Sequence, residues 1–322
     1  MTLGRMAQQN KGGGRRPEDI CGAVRPSVIG SQPPNRYHWR SMSNHDKKFI
    51  LAGVMGHPVA HSRSPVIHNH WIKQYGLNGA YVLLPVLPQR LADALHGLSA
   101  LGFAGCNLTI PHKVEAMALV DRVDPLARRI GAINTVVVEA DGSLSGYNND
   151  GYGYIQSLLD ARSCWRADAG PVVVIGAGGG ARAIVVSLMV RGATEIRLVN
   201  RSFDKARQMA DELGAPVRAV PWEQRHDALD GVALLVNTTS QGMQGQAPLD
   251  LSLERLPAHA LVSDIVYIPL ETPLLAAARL RGNPTVNGLG MLLNQARPAF
   301  ESWFGVLPSI TPELLQAIHA TF

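Results

Sequence analysis

The chain has 322 residues, of which 46% are apolar and 17% charged, enough apolar material for about two domains with buried cores. Its net charge of +5 arises within the first 45 residues, because the remainder carries equal numbers of acidic and basic side chains. The folded part therefore lacks the basic surface of a nucleic-acid-binding protein. No apolar run is long enough to span a membrane. Cys21, Cys106 and Cys164 show neither metal nor disulfide spacing, which favours a reducing compartment, the cytoplasm.

Residues 1–45 are rich in Gly, Pro, Arg, Gln and Ser and show no apolar period, which predicts a disordered leader. They contain no apolar segment typical of a secretory signal. Met42 precedes the first predicted strand, so translation beginning at this residue is one explanation of the leader. A transit peptide is a second explanation, which the absence of an amphipathic pattern disfavours.

Strands and helices alternate from Phe49 onward. The pattern predicts, in order, a strand 49–55, a helix from Pro65 to 75 with Ser64 before it, a strand 81–86, a helix 89–101, a strand 104–110, a helix ending at 120, a helix 126–130, a hairpin 136–146 with an Asp-Gly turn and a helix 150–159. A mostly parallel sheet is expected, because helices separate most of these strands.

The second half of the chain repeats this alternation. Strands are predicted at 172–175, 195–199, 217–220, 234–236 and 261–266 with helices between them, followed by two final helices at 291–304 and 311–320. The final helices have no strand beside them in the sequence, so they are expected to return and cover the first half.

A glycine-rich turn follows the first strand of the second half. Gly176, Gly178 and Ala181 fill the G-x-G-x-x-G/A spacing between a β-branched strand and a helical segment. The first glycine suits a tight turn, the second lets a pyrophosphate approach the backbone, and the helix N-terminus offers amides to phosphates. The turn predicts a dinucleotide site, with a glycine turn that binds no nucleotide as the alternative.

The next strand ends at Asn200-Arg201-Ser202, where an NAD-binding fold usually places an acidic residue for the ribose 2′-hydroxyl. Arg201 stands there instead, and Lys205 follows one turn later. Both side chains suit a 2′-phosphate, so the expected cofactor is NADP(H).

A proton carrier for hydride transfer is expected at a strand end in the first half. Lys113 follows a strand that carries Asn107 and Thr109 on one face. Asp150 is a candidate partner that would hold the Lys113 ammonium in place, although a role as a helix N-cap explains Asp150 equally well. A surface position is the alternative for Lys113.

Ser62 and Ser64 could bind one carboxylate through two hydroxyls, or could serve as a loop serine and a helix N-cap. The eleven histidines show no metal-binding spacing, so no metal site is expected.

Six ordered motifs resemble those of the shikimate dehydrogenase family, between Phe49 and the C-terminus. They are His61-Ser62-Arg63-Ser64-Pro65, Asn107 to Lys113, Gly131-Ala132-Ile133-Asn134-Thr135, Asn200-Arg201-Ser202, Tyr267 to Leu275 and Gly288 to Gln295. The resemblance implies an oxidoreductase that reversibly reduces 3-dehydroshikimate to shikimate with NADPH, a step of aromatic amino-acid (chorismate) biosynthesis.

The resemblance also implies residue roles, with Lys113 and Asp150 as the catalytic pair. The substrate-binding residues that it implies are Ser62, Ser64, Asn107, Thr109, Lys113, Asn134, Asp150, Tyr267 and Gln295. The cofactor-binding residues expected from the glycine turn and the resemblance together are Gly176, Ala177, Gly178, Gly179, Gly180, Asn200, Arg201, Ser202, Lys205, Thr238, Ile265 and Gly288.

The expected fold is α/β with two domains. A mixed, mostly parallel substrate domain is predicted at 46–149, a Rossmann-like NADP-binding domain at 150–287, and C-terminal helices at 288–322 that pack on the substrate domain. The expected partner is a small-molecule substrate, with no nucleic acid and no membrane, and the protein is expected to be a monomer or homodimer. The family usually has threonine where this chain has Asn149. A quinate/shikimate dehydrogenase paralogue therefore stays open, and a non-catalytic dinucleotide-binding regulator is a separate alternative.

Overall fold

Two six-stranded sheets with helices packed against them organise residues 48–322, the part of the chain that the computed structural model describes. The predicted leader, residues 1–45, lies outside the described residues. The strands of the first sheet are β1 (Ile50–Gly56), β2 (Gly79–Pro85), β3 (Phe103–Leu108), β4 (Arg122–Val123), β5 (Thr135–Val138) and β6 (Leu144–Tyr147). The strands of the second sheet are β7 (Val172–Ile175), β8 (Ile196–Val199), β9 (Val217–Val220), β10 (Leu234–Asn237), β11 (Leu261–Asp264) and β12 (Thr285–Val286).

The α-helices of the described residues are α1 (Ser64–Gln74), α2 (Leu91–Ala100), α3 (Pro125–Ile130), α4 (Asp150–Ala161), α5 (Gly179–Val190), α6 (Phe203–Leu213), α7 (Pro273–Leu280), α8 (Gly288–Phe304) and α9 (Pro312–His319). Short 3₁₀ turns occupy Pro88–Arg90, Glu115–Ala118, Trp222–Gln224 and Asp227–Leu229. Within residues 48–322, none of the helices combines the length and apolarity needed to cross a bilayer.

The first sheet is mixed, with the strand order β2-β1-β3-β5-β6-β4. Strands β2, β1 and β3 are parallel, whereas β5 runs antiparallel to both β3 and β6, which confirms the predicted hairpin. In this register Asn107 lies opposite Thr135, and Thr135 lies opposite Tyr147. The end of β3, the start of β5 and the end of β6 therefore meet at one edge of the sheet.

The second sheet is parallel throughout, with the order β12-β11-β10-β7-β8-β9. Its first strand, Val172–Ile175, is completely buried, as expected for a β-branched strand covered by helices on both faces. The chain proceeds outward in one direction from β7 and in the other from β10. The loops after β7 and β10 therefore separate and leave a crevice at the carboxyl edge, which is where α/β sheets of this kind bind ligands.

The final helices return to the first sheet, as predicted. Phe300 and Trp303 of α8 pack in one core with Trp71 of α1 and Ala52 of β1, and α9 also contacts α1. Helix α4 contacts both α8 and α5, and so it joins the two halves of a single compact unit. The α/β class with a Rossmann-type second sheet is thus confirmed, while the domain boundaries at 149 and 287 remain a prediction.

The helix predicted to end at residue 120 is wrong, because only the 3₁₀ turn Glu115–Ala118 forms there. The backbone carbonyl of Lys113, which a helix would use, accepts a hydrogen bond from the N–H of Ile133 at 2.8 Å. The two-residue strands β4 and β12 were not predicted, since strands this short carry no alternating pattern.

Candidate active site

A cavity of about 200 Å³ lies where the carboxyl edge of the first sheet faces the loop after β11 and the start of α8. Every residue predicted to bind substrate lines it: Ser62, Ser64, Asn107, Thr109, Lys113, Asn134, Asp150, Tyr267 and Gln295. The other lining residues are mainly apolar, namely Val54, Leu108, Ile265, Gly288, Met291 and Leu292. The cavity is therefore rich in hydroxyl and amide groups, and the described residues place one cation and one anion in it.

Lys113 and Asp150 form an ion pair inside this cavity. Lys113 Nζ donates to Asp150 Oδ2 at 2.6 Å, with the lysine side chain 27% exposed and the aspartate side chain 9%. Helix α4 begins at Asp150 itself, and Asn149 occupies the N-cap position without a side-chain cap. The N-cap alternative for Asp150 is therefore wrong, since its carboxylate binds side chains of the cavity instead of backbone amides.

Asn134 connects this pair to helix α8. Asn134 Nδ2 donates to Asp150 Oδ1 at 2.8 Å and to Gln295 Oε1 at 3.3 Å. Its Oδ1 accepts from the Thr135 hydroxyl and from the backbone N–H of Asn149, both at 2.9 Å. Both carboxylate oxygens of Asp150 are thus held, one by Lys113 and the other by Asn134.

Asn107 is held from behind by an aromatic stack. The Tyr81 hydroxyl donates to Asn107 Oδ1 at 2.7 Å, and the Tyr81 ring lies on His68 with a centroid distance of 4.0 Å and an interplanar angle of 3°. Asn107 Nδ2 donates to the Asn134 carbonyl at 3.1 Å and to Thr135 Oγ1 at 3.2 Å. Because both amide hydrogens are used, Asn107 can offer a ligand only the second lone pair of Oδ1, which accepts from a hydroxyl.

The two serines stand at the start of α1. Ser62 Oγ accepts from the backbone N–H of Ser64 at 3.3 Å, and the N-cap position belongs to Arg63, which makes no side-chain cap. The N-cap alternative for Ser64 is therefore wrong, because Ser64 is the first residue inside the helix. Arg63 donates to the Thr321 carbonyl at 2.6 Å and so fixes this loop to the end of the described chain.

Tyr267 contributes a phenol to the lining. Burial raises the pKa of this phenol, and the nearby Arg63 acts in the opposite direction. The group is therefore a neutral hydrogen-bonding hydroxyl near pH 7. Its ring lies 6.3 Å from the Phe322 ring, centroid to centroid.

The histidines near the cavity do not form a metal centre. His112 is buried and places Nε2 at 2.8 Å from the Val86 carbonyl, as expected for a histidine in a structural role. Across residues 48–322, no three or more His, Cys, Asp or Glu side chains are grouped so that they could hold a metal ion.

A second cavity, of about 230 Å³, lies at the point where the strand order of the second sheet reverses. Six residues predicted to bind the cofactor line it: Gly176, Ala177, Gly178, Asn200, Arg201 and Thr238. Ile265 and Gly288 line the first cavity instead. The other four predicted residues, Gly179, Gly180, Ser202 and Lys205, line neither cavity. Gly179 and Gly180 begin α5, Ser202 immediately precedes α6, and Lys205 lies in the first turn of α6.

The glycine turn fits a pyrophosphate. Gly176 has a φ of +113°, and a Cβ there would lie 2.5 Å from Thr238 Oγ1, so this position requires glycine. A Cβ at Gly178 would meet no atom within 4 Å, and α5, which follows, begins without a side-chain cap. The first N–H groups of α5 are thus left for an anion in open space, which is how helix N-termini bind phosphates.

Arg201 and Trp222 form the outer part of the second cavity. Arg201 is exposed, and among residues 48–322 it has no hydrogen-bond or ion-pair partner. The Arg225 guanidinium lies 4.8 Å from the centre of the Trp222 ring and pairs with Asp250 at 2.7 Å, which fixes the ring. A free guanidinium beside a fixed aromatic ring suits a phosphorylated adenosine.

Several residues that line the second cavity were not predicted from the sequence. Trp222 follows Pro221 at the end of β9, and an aromatic residue at the end of a predicted parallel strand was an available signal. Thr239 and Gln241, also in the lining, lie in the loop after β10 and carried no comparable pattern.

Comparison with known proteins agrees with this geometry. Residues 54–136 match the model of the shikimate dehydrogenase substrate binding domain, and residues 161–244 match the model described as shikimate / quinate 5-dehydrogenase. The chain is 54% identical over 267 residues to the shikimate dehydrogenase (NADP(+)) of Paramagnetospirillum magneticum. The aligned region covers 83% of this chain and 97% of that protein. The chain belongs to the shikimate dehydrogenase family.

Solved structures extend the family likeness to three dimensions. The shikimate 5-dehydrogenase of Thermus thermophilus, in complex with NADP(H) and shikimate, superimposes with a TM-score of 0.75 at 36% identity, covering 85% of this chain and 100% of that one. A quinate dehydrogenase from Corynebacterium glutamicum, in complex with NAD, gives a TM-score of 0.79 at 29% identity with the same coverage. Family members of this fold therefore include proteins named for either acid and crystallised with either dinucleotide.

Proposed function

We propose that the chain is an NADP-dependent shikimate dehydrogenase, which interconverts 3-dehydroshikimate and shikimate in aromatic amino-acid (chorismate) biosynthesis. The observation that carries the proposal is the Lys113–Asp150 pair, 2.6 Å apart, inside a cavity of neutral hydroxyls and amides. The name borne by the relative with 54% identity supports it. We further propose that the protein works in the cytoplasm as a monomer or homodimer.

The lining suits a small acid that carries several hydroxyls. Ser62, Ser64 and Tyr267 supply neutral hydroxyls, which would bind the carboxylate. Asn107, with one acceptor lone pair left, would accept from a ring hydroxyl. A substrate that leaves these buried groups unpaired would be rejected, because unpaired polar groups cost binding energy.

Lys113 would carry the proton. In the reducing direction, Nζ gives a proton to the oxygen of the reacting carbonyl, and in the oxidising direction it takes the proton from the hydroxyl. Asp150 Oδ2 holds the ammonium at 2.6 Å, and Asn134 holds Oδ1 at 2.8 Å, so the lysine head group has a defined position. When bound, NADP(H) supplies or accepts the hydride.

NADP(H) would be held by the second cavity. The open space at Gly178 and the uncapped start of α5 suit the pyrophosphate, and Arg201 suits the 2′-phosphate. Trp222 would form the wall beside the adenosine. Ile265 and Gly288, which line the first cavity, would lie on the nicotinamide side.

The test is a set of absorbance assays in which the purified chain is offered shikimate or quinate, each with NADP⁺ or NAD⁺. Rapid turnover with shikimate and NADP⁺, and little with the other three combinations, is the expected result. Turnover confined to NAD⁺ would contradict the cofactor assignment. Binding of shikimate and NADPH without any turnover would favour the non-catalytic regulator instead.

The second candidate is a quinate/shikimate dehydrogenase, which the likeness to the Corynebacterium glutamicum quinate dehydrogenase favours. Quinate carries an extra hydroxyl on the carbon that bears its carboxylate, so the residues around the carboxylate decide between the two acids. Ser62 and Ser64 line the cavity, and two serines around the carboxylate would favour the smaller acid, shikimate. Comparable kcat/KM for both acids in the assay above would establish this second candidate.

A further inference from the structure

We infer that the Thr135 hydroxyl and the Asn149 amide are positioning groups, which fix the direction of the Asn134 amide and thereby hold Asp150 and Lys113 in one arrangement. Neither Thr135 nor Asn149 lines the cavity, so both act through another residue. The inference rests on the proposed function, since it assigns to these groups a part in the same reaction.

The Thr135 hydroxyl has three partners and a single hydrogen. Asn107 Nδ2 lies at 3.2 Å, Asn149 Nδ2 at 3.0 Å and Asn134 Oδ1 at 2.9 Å from Thr135 Oγ1. The two amide nitrogens are donors and occupy both lone pairs of the hydroxyl, so its hydrogen is left for Asn134 Oδ1. Thr135 is 1% exposed, and water therefore cannot replace a missing partner.

This assignment determines how the Asn134 amide must face. Asn134 Oδ1 also accepts the backbone N–H of Asn149 at 2.9 Å, so both of its lone pairs are used. The nitrogen must then point toward Asp150 Oδ1 and Gln295 Oε1. A reversed amide would set two oxygens against each other at Asp150 and leave the Thr135 hydrogen without an acceptor.

The orientation of the Asn134 amide also determines the position of Lys113, through Asp150. Asp150 is held at Oδ2 by Lys113 and at Oδ1 by Asn134. Without the second bond the carboxylate can rotate, and the ammonium that it holds moves with it. Small displacements of a reacting group are costly, because proton transfer needs the donor within hydrogen-bond reach of the substrate oxygen.

The same geometry accounts for the orientation of the Asn149 side chain. The Asn149 amide turns toward Thr135 at 3.0 Å and is absent from the cavity lining. A threonine hydroxyl at this position could also donate to Thr135 Oγ1. We therefore expect Asn149→Thr to keep the ratio of kcat/KM for shikimate to that for quinate.

The experiment compares Thr135→Val, which keeps the shape of the side chain without its hydroxyl, with Thr135→Ser, which keeps the hydroxyl. In each full-length variant we would measure kcat, the KM of shikimate and NADP⁺, and the isotope effect with shikimate deuterated at the carbon that is oxidised. For Thr135→Val we expect kcat to fall about ten- to a hundredfold with the NADP⁺ KM unchanged. The isotope effect should rise as the chemical step becomes rate-limiting, and Thr135→Ser should restore both values.

Parental kcat and isotope effect in Thr135→Val would overturn the inference, as would an equal loss in Thr135→Ser. Should Thr135→Val fail to fold, Asn149→Leu carries the test, because Asn149 is only partly buried and supplies one of the two donors that direct the Thr135 hydrogen toward Asn134. We expect kcat to fall and the isotope effect to rise in Asn149→Leu, and parental values of both would overturn the inference. Turnover by the parent chain decides the proposed function separately. If the parent chain is inactive, a crystal structure of Thr135→Val decides the inference, since an Asn134–Asp150 hydrogen bond that persists there would refute it.

Discussion

Replacing His68 by phenylalanine should stabilise the protein in mild acid and change its stability little near neutral pH. His68 is fully buried, and among residues 48–322 neither of its ring nitrogens has a hydrogen-bond partner. Its ring lies flat on Tyr81 and within 5.8 Å of Trp71, Phe300 and Trp303, centroid to centroid. A phenyl ring can keep these ring contacts, so we expect a cost or gain below about 1.5 kcal/mol at neutral pH.

The pH dependence follows from the depressed pKa of the histidine. Burial lowers the pKa of His68 from 6.5 to about 3, so the native protein keeps it neutral where the unfolded chain binds a proton. Unfolding therefore takes up a proton between these two values, and native stability falls as the pH falls through this window. At about pH 5 the loss is about 2 kcal/mol, since each pH unit below 6.5 is worth about 1.4 kcal/mol. The His68→Phe variant lacks this loss.

Urea unfolding at a series of pH values between about 7.5 and 5, followed by tryptophan fluorescence, measures the effect. The free energy of unfolding of His68→Phe relative to the parent should rise by about 2 kcal/mol across the series. His96→Phe, an exposed histidine on α2, provides the matched control for the substitution itself. If the free energy of unfolding of His68→Phe differs from that of the parent by the same amount at every pH, the argument that the native protein keeps His68 neutral is refuted.

Three further predictions concern catalysis and cofactor binding. Lys113→Ala should lower kcat by about a hundredfold or more while the Kd of NADPH stays unchanged, and near-normal turnover would disprove its role as proton carrier. Arg201→Ala should weaken the binding of NADP(H) about ten- to a hundredfold and that of NAD(H) much less, as measured by titration. Arg207 is another exposed arginine, and Arg207→Ala should leave the preference for NADP(H) over NAD(H) unchanged. Gly178→Val should keep the thermal midpoint of unfolding, because the backbone at Gly178 is extended and a Cβ there meets no atom within 4 Å. The new side chain should raise the Kd of NADPH about tenfold by filling the space proposed for the pyrophosphate. An unchanged Kd would show that the cofactor does not use this space.

The sequence predicted the second sheet well because its signals are local. Val172–Ile175 is a buried β-branched run that ends at a glycine, and both features are visible in the sequence. The same holds for the polar residues Asn107 and Thr109, whose alternation indicated one face of a strand. Locating these strands was enough to place Lys113 at the edge of the sheet where the first cavity lies.

The hydrogen-bond partners of the site residues could not be predicted, because they depend on which strands become neighbours. Thr135 becomes a partner of Asn107 only because β5 pairs with β3 in an antiparallel register. Tyr81 reaches Asn107 across 26 positions, and alternation within a strand says nothing about such a distant partner. For the same reason the pairing of Asp150 with Lys113 was only one of two interpretations, since the residues next to Asp150 do not tell which distant side chain lies beside it.

The loops of the two cavities are tied together at a buried carboxylate, Asp264, at the end of β11. Asp264 Oδ1 accepts from Asn237 Nδ2 at 3.1 Å and from the backbone N–H of Val266 at 3.0 Å, while Oδ2 accepts from the Thr272 hydroxyl at 2.7 Å. Burial raises the pKa of this carboxyl, and within residues 48–322 no cationic side chain pairs with it. Its charge is thus stabilised by hydrogen bonds from two segments of the chain: the end of β10, which supplies Asn237, and the connection between β11 and α7, which supplies Val266 and Thr272.

Each of those two segments leads to a cavity wall. Asn237 Oδ1 accepts from the backbone N–H of Thr239 at 3.0 Å and from its hydroxyl at 2.7 Å, and Thr239 lines the second cavity. Val266 lies between Ile265 and Tyr267, which line the first cavity. If one loop moved away, a hydrogen bond to a buried carboxylate would be lost, which is more costly than the loss of a bond at the surface. The end of β11 therefore links a wall of the first cavity to a wall of the second, and the proposed hydride transfer needs substrate and cofactor to be held in one relative position.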